Sequence, residues 1–191
     1  MMSRLCLALS AVAAIAALFA APARAGAQDK TQVNPFHSEI EWYRLDQLPV
    51  PDGRCTDPLP EGLAYLWVSH EYGTATSTHL GIGPYYAEFC VYGLLTAPGE
   101  APPNNGTPLG FNGIDLTWTA ANGDTLKASA SLVGVIPTPV LTFVCSVAFV
   151  DGGTGRFARA EGRATALIYP DLANSQVGRE VHDGWIRYKR W

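Results

Sequence analysis

Few side chains in this sequence stand at spacings that could do chemistry, and a carboxylate and a histidine come first. Glu88 lies in the alternation Tyr86-x-Glu88-x-Cys90-x-Tyr92, and alternate residues of an extended segment share a face. If that face lined an interior, Glu88 would be a partly desolvated carboxylate with a raised pKa, usable as a general acid or base. The opposite face, with Tyr85, Ala87, Phe89 and Val91, is the more apolar. Because apolar faces turn inward, Glu88 is expected in water. His79 ends a strand-like run and could act beside Glu71 or Tyr72, although a histidine in such a place often only satisfies backbone groups. Glu88 and His79 are therefore catalytic candidates, and no catalytic residue is assigned.

Two further patterns resemble cofactor or metal sites. His37, Glu39 and Glu41 share one face of an extended segment, but three ligands along one edge lack a closing partner, so no metal is expected. Gly153-x-Gly155-x-x-Ala158 has the loose form of a dinucleotide fingerprint. That fingerprint needs a long helix after the glycines, and Gly162 follows within about one turn, so the glycines read as a tight corner and no cofactor is expected. The sequence contains no Gly-x-Ser-x-Gly elbow.

The elements that must position these residues are strands. Period-two alternation recurs, and the sequence lacks a sustained run with apolar residues every three to four positions. Expected strands run over 62–71, 74–80, 85–95, 111–120, 125–132, 140–150, 163–169 and 181–191, with 38–45 as an edge strand or docked arm. Asn122-Gly123 marks a hairpin between the fourth and fifth of these, both residues tolerating the positive φ of a type I′ turn. The proline-rich stretches 46–61 and 97–110 read as loops. Eight strands in this length form a sandwich or a closed up-and-down barrel. Trp67, Trp118, Tyr65 and Phe149 could stack on a ligand, and they are also what a barrel core needs in order to fill.

The chain has 191 residues, and Arg4 followed by an apolar run from Leu5 to Ala21 and small residues before Gly26 reads as a cleavable leader over 1–25, or through 27. The expected product is a secreted or periplasmic protein with an N-terminal arm and loop over 26–61 and a barrel over 62–191, without membrane insertion. Removing Arg4 and Arg24 from the 13 basic residues leaves 11 against 17 acidic ones, a net charge of −6, and excludes nucleic acid as a natural partner. Cys55, Cys90 and Cys145 remain after the leader. An odd count in an oxidising compartment gives one disulfide with a leftover thiol, or three buried thiols. Cys55 lies in a polar loop and the other two lie mid-strand; the expectation is a Cys55–Cys90 bridge with Cys145 in the core, though spacing alone leaves the pairing open.

Three pieces carry a resemblance: Thr78-His79-Leu80-Gly81, Thr119 to Asp124, and the glycine corner Gly152 to Gly162 with Phe157 at its centre. In order and spacing they look like bacterial secreted relatives of the allene oxide cyclase and dirigent barrels, over about 62–169. The resemblance implies an all-β, calycin-like, eight-stranded antiparallel β-barrel with an apolar cavity. In plant members that cavity cyclises an oxylipin or steers phenoxy-radical coupling. The matched positions are turn and packing positions, so no active-site residue carries over. The leading expectation is a barrel that binds a small apolar molecule without turning it over. The alternatives are an isomerase or cyclase using a lumenal carboxylate, and an extracellular interaction or structural protein with a filled barrel. The oligomeric state stays open.

Overall fold

The structure is a computed structural model that describes residues 33–51, 53–95, 106–137, 140–174 and 176–188. The expected leader and most of the second proline-rich stretch lie outside the described residues. Eight antiparallel strands, each hydrogen-bonded to the next, close into a barrel: β1 (Val33–Leu48), β2 (Ala64–Ser77), β3 (Gly81–Leu94), β4 (Thr107–Thr119), β5 (Thr125–Ile136), β6 (Thr142–Val150), β7 (Glu161–Pro170) and β8 (Val177–Arg187). The closing seam is β1 against β8, in register from Val33 opposite Arg187 to Tyr43 opposite Val177. Closure leaves no strand edge unpaired.

The expected strand count was right for a different reason. Segments 62–71 and 74–80 are one strand, β2, and the arm 38–45 is the missing eighth, β1. The barrel therefore begins at Val33, not at Gly62. Tyr72-Gly73 looks like a break in the sequence, but Gly73 pairs with Trp42, and a Cβ there would stand 2.3 Å from the Glu41 carbonyl oxygen. Glycine at this position lets two strands approach closely without turning the chain.

The Asn-Gly hairpin joins β4 to β5, with Thr119 opposite Thr125. It is not a type I′ turn, because Gly123 has a φ of +88° and Asn122 does not have a positive φ. Asn122 instead accepts a hydrogen bond from the Asp124 N–H through its side-chain oxygen at 3.2 Å. That side-chain turn does the work of the second positive φ.

Alternate residues of every strand point into the lumen, and one end is packed solid. Phe36, Trp118 and Phe149 meet edge to face, with centroids 4.8 to 6.1 Å apart. Below them the glycine corner folds as a single 3-10 turn over Gly155–Phe157, and the fully buried Phe157 packs on Tyr188 at 5.1 Å. No helix long enough to present a terminus to a pyrophosphate follows the glycines, which confirms a corner.

Candidate functional site

The other half of the lumen is a cavity of about 370 Å³, within the size range of small-molecule sites. Its mouth lies at the end of the barrel where β1, β3, β5 and β7 finish, and Pro108, Leu109, Pro170 and Leu172 rim it.

The wall has two chemically different sides. From β4 to β7 it is apolar, with Phe111, Ile114, Leu116, Ala130, Phe143, Ala166 and Ile168, and one thiol, Cys145. From β8 through β1 to β3 it carries Glu180, His182, Trp42, Arg44, Trp67, Glu71 and Tyr85. The alternation that makes these strands half-buried also delivers polar residues inward wherever the sequence places them on the inner set.

The polar side is organised as two linked groups. Arg44 donates from Nη2 to Glu71 Oε1 at 2.8 Å, and its guanidinium lies over the rings of Trp42 and Phe89. Glu180 Oε2 accepts from the Tyr85 hydroxyl at 3.1 Å and lies 2.7 Å from His182 Nε2. Glu71, Glu180 and His182 are all buried. Burial, reinforced by the nearby Glu180 charge and only partly opposed by Arg44, pushes the Glu71 carboxyl up to about 7. Burial also raises the Tyr85 phenol well above its ordinary range and lifts the Cys145 thiol to about 12. Three buried donor or acceptor atoms on this side, Trp42 Nε1, Trp67 Nε1 and His182 Nδ1, have no hydrogen-bond partner among the described residues. Such atoms cost free energy unless something polar meets them.

No protein-family model and no curated protein matches the chain. The chain is similar to the pterocarpan synthase dirigent protein GePTS1, at 16% identity and a TM-score of 0.41, over 84% of this chain and 87% of that one. This is too distant to bring over a substrate or an activity. The eight-stranded antiparallel barrel stands on the strand ladder itself.

The expected site residues are scattered. Glu88 points away from the lumen, on the outer face, where Arg54 Nε lies 2.9 Å from its carboxylate and the Tyr86 hydroxyl donates to it at 2.9 Å. His79 is at the packed end, with Nε2 2.6 Å from the Pro35 carbonyl and Nδ1 3.2 Å from the Tyr188 hydroxyl. Of the four aromatic candidates, Trp67 lines the cavity. Trp118 and Phe149 fill the packed end, and Tyr65 faces the loop, donating to the Asp57 carbonyl at 3.0 Å. His37 pairs with Asp183 at 2.7 Å and with Glu39 at 3.4 Å, and no cluster of three or more metal-ligating side chains occurs among the described residues. The Cys55–Cys90 disulfide is present, with Cys145 a buried free thiol.

Glu180, His182 and Arg44 are not singled out by the sequence pattern, and Glu71 enters it only as a neighbour of His79. In β8 the apolar-inward rule misleads, because Val181 and Trp185 look like the core set while Glu180, His182 and Ile186 take it. For Glu71 a signal existed: it shares a face with Trp67 and Ser69 in β2, and that face turns inward.

Proposed function

We propose that this chain is a small-molecule-binding barrel whose ligand is largely apolar and carries a hydrogen-bonding group along one side. The observation that supports this reading is the two-sided wall: an aliphatic and aromatic half faces buried polar atoms that have no hydrogen-bond partner among the described residues. Export as a secreted or periplasmic protein, with its leader removed, fits the disulfide, and among the described residues no helix is long and apolar enough to cross a membrane. A lumen filled throughout, the premise of a purely structural barrel, is at odds with the cavity.

Native mass spectrometry of the protein purified from its own host tests the reading. The expected result is one small molecule carried at one copy per chain and lost in Ala130→Phe, which fills the apolar side. Protein that carries nothing, and takes up no apolar fluorescent probe, would overturn it. A second reading, proton-shifting isomerisation, is favoured by one observation, the lumenal Glu71 carboxyl held up to about 7. It replaces Glu88 with Glu71 as the acid or base. Under that reading the carried molecule would be converted to an isomer on incubation in heavy water, taking up deuterium, and Glu71→Gln would stop this while leaving the molecule bound.

A further inference from the structure

Closure gives every strand two partners, yet one seam stops short of the mouth. β4 and β5 pair only from Ile114 opposite Ala130 to Thr119 opposite Thr125, next to their hairpin. Past that point each strand runs on with its other neighbour alone, β4 to Thr107 opposite Leu94 and β5 to Ile136 opposite Thr142. The cause lies in β4, where Gly113, with a φ of +57°, and Ile114 together face the single residue Phe89 of β3. Such a bulge bends its strand and ends pairing on the far side.

The foot of this gap is covered from outside by the β1–β2 connection. A groove of about 260 Å³ lies there, with residues 58–60 as its roof, 111–113 of β4 on one side and 130–132 of β5 on the other. Phe111 and Ala130 line both this groove and the lumenal cavity, so the two spaces share a wall at those residues. Leu109, Gly110 and Phe111 line the cavity in succession, whereas alternation would present only every second residue; here β4 turns an edge toward the lumen. The roof is fastened to the β4 side. Cys55 is bridged to Cys90 of β3, and Arg54 lies 2.9 Å from both Glu88 of β3 and Asp115 of β4 and donates to the Gly113 carbonyl at 2.7 Å. The Asp57 carbonyl accepts from the Tyr65 hydroxyl, which accepts from Asn112 Nδ2 at 2.9 Å. Among the described residues no hydrogen bond, ion pair or disulfide joins this connection to β5. Widening the wall at any other seam would break ladder bonds; parting β4 from β5 above Ile114 breaks none among the described residues.

We propose that the lumen has a side gate between β4 and β5, with Phe111 and Ala130 as its two leaves and residues 54–60 as a cover that the Cys55–Cys90 bridge and Arg54 hold in place. The rate at which the lumen exchanges its contents is set at this gate and not at the end mouth. The gate is a property of the barrel wall and does not rest on the ligand-binding reading.

Labelling of Cys145 by N-phenylmaleimide tests this, because Cys145 lines the cavity and, in the chain from Gly26 onward, is the one free thiol. That chain keeps the whole closed barrel, Val33 to Arg187, and the readout needs no bound ligand. The rate is expected to stay flat as urea is added below the unfolding transition, the mark of a local opening. Ser131→Trp, which fills the groove from outside, is expected to slow labelling about tenfold, and Leu172→Trp, which narrows the end mouth, to alter it by less than about twofold. Cys55→Ala combined with Cys90→Ala releases the cover and is expected to speed labelling about tenfold. Should that pair fail to melt cooperatively, Arg54→Gln takes its place with the same expectation in direction. Slowing by Leu172→Trp as great as that by Ser131→Trp overturns the proposal and assigns exchange to the end mouth. So does a rate that climbs with urea in step with global unfolding, or a Cys145 that reacts only in the unfolded chain. Failure to take up an apolar probe, with the labelling pattern as expected, would remove the ligand-binding reading and leave the gate standing.

Discussion

Glu71 and Glu180 share one lumen with Arg44 and His182, so the interior holds two groups that can be negative beside two that can be positive. Burial penalises each charge, and the Arg44 contact offsets only part of this for Glu71. The sign of the pH effect follows from where Glu71 loses its proton: near 4.5 in the unfolded chain and at about 7 in the barrel. Between those values the folded state holds more protons. The stability contributed by Glu71 is therefore complete below 4.5 and is lost as pH rises through 7, on the order of 3 kcal/mol between the two limits. Chemical denaturation at pH 5 and pH 8 should show this decline, and Glu71→Gln should flatten it. An unchanged decline in the variant would remove Glu71 as its source. Reading Glu71 from sequence needed only the inward face of β2; reading Glu180 and His182 needed the register of β8, which local polarity misrepresents.

At the level of elements, the three motifs of the family resemblance turn out to be one structure. The Ala121 N–H donates to the Leu80 carbonyl at 3.2 Å, joining the β2–β3 turn to the Asn-Gly hairpin. The Thr125 N–H donates to Thr154 Oγ1 at 2.8 Å, and the Arg156 N–H donates to the Asp124 carboxylate at 3.3 Å, joining the hairpin to the glycine corner. Arg156 also donates from its guanidinium to the His79 carbonyl. A Cβ on Gly155, whose φ is +53°, would collide with Asp124, so glycine is needed there twice over. These segments are legible because turns demand particular residues at fixed offsets, and they close the barrel at the end away from the cavity. What the sequence announces most clearly is thus the seal, and the site is quiet because its residues obey only alternation. Phe157→Ala should cost about 3 to 5 kcal/mol by emptying the centre of that seal, seen as a lower denaturation midpoint with probe uptake by the remaining folded protein intact. A loss of probe uptake at full stability would mean the corner shapes the cavity after all.

For the whole molecule, the position of β1 decides what counts as the domain. Alternation identified most of the strands, and the all-β class followed from it. The boundary did not, because Ser38 to Leu45, rich in charged and polar outer residues, reads as a peripheral arm. Its inner set is Ser38, Ile40, Trp42 and Arg44, and the Ser38 hydroxyl meets that of Ser77 at 2.7 Å inside the barrel. A chain starting at Gly62 would expose the edges of β2 and β8, and is expected to aggregate or to lose cooperative unfolding, in contrast to a chain starting at Gly26. Two such chains melting alike would show that seven strands suffice.

The same seam has a kinetic side. Every other strand pair joins neighbours in sequence, and such local pairings can form early. The contact between His37 and Asp183, on the closing pair, spans 146 residues. The barrel can therefore be completed only after its last strand is available, and the loop-closure entropy of nearly the whole domain falls on that single step. Until then β1 and the most recently paired strand are open templates, so the interval between synthesis of β7 and docking of β8 onto β1 is the time when this chain is most exposed to misassembly.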